Sequence, residues 1–103
     1  MNFSEYQKAA FSTATETSRN LPYMTLGLTG EAGEVANKVK KIIRDGKELD
    51  REDITAELGD CLWYIAGFAT VAGISLEEIA GKNLKKLADR KARGVISGSG
   101  DNR

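Results

Sequence analysis

The stretch REDITAELGDCLWYIAGFATVA, residues 51–72, constrains the fold more than any other part of this chain. At helical spacing, Ile54, Leu58, Cys61, Leu62, Trp63, Ile65, Phe68, Val71 and Ala72 spread apolar surface nearly all round one helix. A helix with no polar side has to be covered on every side. The chain has only 103 residues, the size of one domain. Four short helices cannot easily enclose one of their own, so the missing cover is expected from a second subunit. The reading is an all-α, four-helix bundle-like fold assembled as a homo-oligomer, dimer or tetramer, with the third helix central.

Punctuation places the other helices. Ser4 and Gln7 are spaced as a capping box, which predicts a first helix running to about Ser18. Asn20, Leu21 and Pro22 then interrupt it. A second helix is predicted from about Thr25 to Arg44, closed by Asp45 and Gly46. Asp50 and Asp53 stand as acids at the start of the third, and Gly73 ends it. Ser75 and Glu78 repeat the capping box before a fourth helix that stops at Gly94. No segment alternates as strands do. Residues 1–94 therefore form one all-α domain. The segment 95–103, VISGSGDNR, reads as a flexible tail that can order over substrate.

Two pairs of acids interrupt the apolar pattern. Glu31 and Glu34 are at i, i+3 on the margin of the stripe made by Leu28, Ala32, Val35, Ala36, Val39, Ile42 and Ile43. Glu57 and Asp60 repeat that spacing within the helix that has no polar side. The short link DGKELD makes the two helices neighbours, so the pairs can face each other. Unit charges ~4 Å apart cost about 4 kcal/mol at an effective dielectric of 20. Either protons or a cation must relieve that repulsion. Oxygen ligands alone select a hard cation, Mg²⁺ first and Mn²⁺ second. The plainer alternative is that each acid is a surface charge paired with a lysine such as Lys38.

Composition narrows the chemistry. Lys+Arg and Asp+Glu are 15 each, so nothing draws the whole molecule to nucleic acid or to an anionic membrane. Histidine is absent, which excludes catalytic triads, histidine-bound zinc and Glu-x-x-His di-iron sites. The single cysteine, Cys61, excludes an internal disulfide and suits a reducing compartment. No apolar run approaches the ~18 residues of a membrane span, and the first residues lack a signal-peptide pattern. The expectation is a soluble cytoplasmic protein that binds neither nucleic acid nor membrane.

Donors stand near the acids in the pattern. Lys38 follows Glu34 by four on the same face, and Asn83, Lys86 and Arg90 form a ridge on the fourth helix. Asn83 falls between Ile79 and Leu87, on the expected core face. These groups read either as a solvated flank or as ligands for phosphate oxygens. Tyr64, four residues beyond Asp60, is placed to line a base or sugar pocket, whereas Trp63 is expected to point elsewhere, into packing. Gly30, Gly33 and Gly59, beside the acids, each cost up to about 1 kcal/mol in a helix. They serve close approach of substrate or backbone, or tight helix packing.

LGLTGEAGEVANKVKK followed by ITAELGDCLWYIAGFA resembles the MazG-like all-α nucleoside triphosphate pyrophosphohydrolases, whose hallmark is Glu-x-x-Glu, a spacer and Glu-x-x-Asp. Glu31, Glu34, Glu57 and Asp60 match it position by position. The resemblance implies Mg²⁺ held by these four and cleavage between the α and β phosphates of a nucleoside triphosphate, with Glu34 activating the water. It implies that Lys38, Asn83, Lys86 and Arg90 hold the triphosphate, in a dimer or tetramer with its site beside a subunit interface. Relatives with the same metal site include all-α dUTPases and phosphoribosyl-ATP pyrophosphohydrolases. A silent helical oligomer that binds nucleotide or protein is the alternative of another class.

Overall fold

Each helix starts where a side chain can accept one of its free amides. Asn2 accepts from Glu5, Asn20 from Tyr23, Asp50 from Asp53 and Ser75 from Glu78. The computed structural model describes residues 1–103 and is all-α. It comprises α1 (Phe3–Phe11), a 3-10 turn (Glu16–Ser18), α2 (Leu21–Asp45), α3 (Arg51–Ala72) and α4 (Leu76–Arg93). Gly46, Gly73 and Gly94 close the last three in the left-handed region, which glycine enters without a Cβ penalty.

Three boundaries differ from the sequence expectation. The first helix is capped by Asn2, not Ser4, and ends at Phe11. There the Ser12 and Thr13 hydroxyls donate to the carbonyls of Ala9 and Ala10, so side chains take over the acceptors at the helix end. The second helix begins at Leu21, not Thr25. Asn20 caps it and Pro22 sits in the first turn, where a missing amide costs nothing. The proline taken for an interruption is a start.

Helices α2 and α3 pack side by side along the short turn that joins them. They interlock at two further glycines, Gly27 and Gly67. A Cβ on Gly27 would run into the Tyr64 ring, and one on Gly67 would lie 2.5 Å from the Met24 sulfur. Helix α1 lies on the C-terminal half of α3, where Tyr6, Trp63 and Ile65 pack around Ala10, Ala66, Ala69 and Leu76. The Gln7 side chain fastens this corner. Its Nε2 donates to Thr70 Oγ1 at 3.1 Å and to the Ile74 carbonyl at 2.9 Å, and its Oε1 accepts from the Leu76 amide at 2.8 Å. Helix α4 departs at a bend of 105° from α3 and packs on α1.

The single chain is open. Only 9 of 103 residues are buried, and it exposes 7473 Å². A compact monomer of this mass exposes about 5,700 Å². The radius of gyration is 16.3 Å, against about 13 Å for a compact domain. In α3 the buried positions, Ala66, Gly67 and Ala69, all lie toward the C-terminus, while Leu58 is 54% exposed. No single helix is long and apolar enough to cross a membrane.

Candidate metal centre

The α2–α3 packing brings acids from both helices to one place. Carboxylate oxygens of Glu31, Glu57 and Asp60 lie within 4.8 Å of one another. Glu31 and Glu57 are half-buried and Asp60 is exposed at the rim. Burial first, then the charges of Asp60 and Glu57, hold the Glu31 carboxyl above its usual range. Glu34 lies outside this trio and faces solvent, one turn along α2, near enough that its charge also adds to the rise at Glu31.

The cations nearby are arranged unevenly. Lys38 donates to both oxygens of Asp53 at 2.9 and 2.8 Å and stands 3.7 Å from Glu57. Its ammonium is held above the usual lysine value, chiefly by the Asp53 hydrogen bond. No ion pair of the chain involves Glu31, Glu34 or Asp60. A lysine partner for every acid is therefore not what the structure shows: Lys38 serves Asp53 and touches only Glu57. Three converging carboxylates of hard oxygen character form a donor set that fits a divalent cation.

Beside the trio, Glu31, Asp60, Trp63 and Tyr64 line a recess of about 280 Å³. Trp63 was expected to point away from the acids. It does both jobs: its Nε1 donates to the Ala10 carbonyl and Thr13 Oγ1 at 3.1 and 2.9 Å, while its ring lines the recess. Trp63 and Tyr64 meet edge to face with centroids 4.9 Å apart. Burial first, then Tyr23 and Glu31, raise the Tyr64 phenol. The signal for Trp63 was available in the sequence, because it is three residues beyond Asp60 and shares its side of the helix.

The residues of α4 are elsewhere in the chain. Asn83 is exposed and is not on a core face. Lys86 and Arg90 are bound to Asp101 of the tail. From the 105° bend and a rise of 1.5 Å per residue, their part of α4 lies on the order of 20 Å from Asp60. Gly30, Gly33 and Gly59 have no heavy atom of the chain within 4 Å of a Cβ placed on them, so they do not serve packing within the chain.

Comparison with known proteins agrees with this geometry. Residues 19–95 match the MazG nucleotide pyrophosphohydrolase domain. Gene 37 protein of Mycobacterium phage L5 is 47% identical over an alignment of 114 residues that covers 100% of both chains. No solved structure gives a significant match.

Proposed function

Because this chain belongs to the MazG nucleotide pyrophosphohydrolase domain family, we propose that it hydrolyses a nucleoside or deoxynucleoside triphosphate between the α and β phosphates. The products would be the monophosphate and pyrophosphate. One observation carries the reading: Glu31, Glu57 and Asp60 converge from two helices, and neither Glu31 nor Asp60 has a cationic partner. With Glu34 beside them, these residues would hold Mg²⁺, or Mn²⁺ in its place. Bound there, the cation would offset phosphate charge and acidify a water.

The chain's own groups then have distinct tasks. Glu34, exposed and one turn from Glu31, takes the proton of the attacking water. The water oxygen bonds to the α phosphorus, and the α–β bridging oxygen leaves with pyrophosphate. Lys38, fixed by Asp53 at the edge of the trio, supplies positive charge to the phosphates. Trp63 and Tyr64 offer an aromatic wall to sugar or base. The open surface beside Gly30 and Gly59 leaves room for the substrate.

The working unit in this reading is a homodimer or homotetramer. Its support is the exposure of Leu26, Ile43 and Leu84, at 74, 78 and 68%, on a chain with few buried residues. In such an assembly Lys86 and Arg90 would reach phosphates held by the acids of another copy.

A pyrophosphate-release screen with Mg²⁺ over common and modified nucleotides tests the activity. Cleavage of no nucleotide by a protein that binds Mg²⁺ would end the enzymatic reading. Sedimentation should give at least twice the 11.2 kDa chain mass, and Ile43→Glu should lower it.

A further inference from the structure

One charged side chain in the molecule is buried, and it does not belong to the acidic centre. Arg90, near the C-terminal end of α4, is 5% exposed. Its Nη2 donates to the backbone carbonyl of Asp101 and, at 3.1 Å, to Asp101 Oδ1. Lys86, one turn earlier, places its Nζ 2.7 Å from the same Oδ1. Two cations from one helix face therefore converge on a single anionic oxygen. The guanidinium is set in the protein, whereas the Asp101 side chain is 77% exposed.

The anion arrives on a strap with few fastenings. After Gly94 the chain folds back over α4, reversing at Gly98 and Gly100, whose φ values of 123° and 86° suit glycine. Arg103 closes the strap on itself by donating to the carbonyls of Val95, Ile96 and Gly100. Beyond the helix-end turn, the polar side chains of α4 that hold it are Lys86, Arg90 and Arg93, the last through the Arg103 carbonyl at 2.7 Å. Segments with few buried contacts open at low free-energy cost.

We propose that Asp101 occupies the seat which the proposed function gives to phosphate at Lys86 and Arg90, and that it does so as a built-in competitor which a polyphosphate displaces. The choice of phosphate rests on the proposed pyrophosphohydrolase function. The competition rests on the clasp alone. A phosphate presents more charge and more acceptor oxygens to a guanidinium than one carboxylate oxygen does. Binding to a seat that is open only part of the time is weakened by the open fraction. The strap would thus lower the apparent affinity of every anion by the same factor, so that at a given concentration only those that bind the open seat tightly, as polyphosphates do, fill it.

The test uses full-length protein, inorganic tripolyphosphate as probe, and EDTA throughout, so that no divalent metal acts and no turnover is needed. Asp101→Asn keeps the size of the side chain and removes its charge. Calorimetry should show this variant binding tripolyphosphate at least roughly threefold tighter than wild type, as expected when a competitor is lost. In wild type, NMR signals of residues 95–103 should shift toward those of a mobile chain as the probe is added. Unchanged or weaker binding by Asp101→Asn, or tail signals indifferent to the probe, would reduce the clasp to a structural staple. Displacement of the tail in a protein that cleaves no nucleotide would uphold the seat while ending the enzymatic reading. Cleavage with an indifferent tail would do the reverse.

Discussion

On the α2–α3 hairpin, Glu31, Glu57 and Asp60 crowd together, and the one cation within reach, Lys38, is already committed to Asp53. On α4, Lys86 and Arg90 converge on one oxygen of Asp101, so the chain supplies their counter-charge itself. Both regions collect like charges, and they are relieved differently. Of the acids, Glu31 and Asp60 are left unpaired, and burial first, then the charges of Asp60 and Glu57, hold the Glu31 carboxyl above its usual range. The bases are matched, which holds Asp101 below the usual aspartate range, mainly through Lys86 and Arg90. A formal net charge of zero conceals this asymmetry. An acidic region left uncompensated by its own fold is suited to take a cation from solution. A compensated basic region must first give up what it holds.

The largest expected effect is at the acids. Glu57→Gln should reduce pyrophosphate release by on the order of a hundredfold or more, since even outer partners of metal ligands are worth 10–100-fold. Circular dichroism should stay unchanged. An active Glu57→Gln enzyme would mean that the hairpin is not the reaction centre.

Next comes linkage. Mg²⁺ at a hundredfold excess over its Kd should stabilise the fold by about 2.7 kcal/mol. Thermal unfolding at matched ionic strength would show it as a rise in Tm that NaCl does not reproduce. Equal responses to both salts would make the acids an ordinary surface cluster.

Two glycines of α2 give a smaller, sharper contrast. Gly27→Ala drives a methyl into the Tyr64 ring and should cost about 1–3 kcal/mol. Gly30→Ala meets nothing within 4 Å and should gain up to about 1 kcal/mol in helix propensity. It should also slow turnover if substrate uses the space beside Glu31. Equal losses of Tm from both would remove the distinction between an interlocked and an open glycine.

The smallest effect is at the tail. A carboxyl whose folded pKa is depressed binds its proton more weakly than in the unfolded chain. Its contribution is therefore present above the ordinary aspartate value of 3.8 and is lost as pH falls through the lower, folded value. NMR of residues 95–103 should show release of the strap in that acidic window, while the signals of α2 and α3 change separately. A strap indifferent to acid would show that Arg103, not Asp101, holds it.

Local chemistry was the most readable part of the sequence. Asp50, Ser75, Gly46, Gly73 and Gly94 mark their helix ends because a cap needs only nearby residues. The facing of Glu31 toward Glu57 and Asp60 was readable too, since i, i+3 spacing and a short link leave little freedom. Pro22 misled because one residue can interrupt a helix or begin one, and Asn20 decided between them. Asn83 misled because its core face was assigned by periodicity alone, and α4 turns away at 105°. Trp63 shows the limit of giving a side chain one task. Its indole edge holds α1 while its ring lines the acidic recess. The meeting of Asp101 with Lys86 and Arg90 depends on a glycine-built reversal of the chain, which no periodicity announces.

The Gln7 amide spans the corner between α1, the end of α3 and the start of α4 through three hydrogen bonds, both N–H groups among them. Helix α1 reaches the proposed site through Ala10, whose carbonyl holds the Trp63 indole, and it also acts as the bracket between α3 and α4. The distance between the acidic and basic regions is therefore governed by a residue that touches neither. Shortening that bracket would misalign two correctly built halves without unfolding either one.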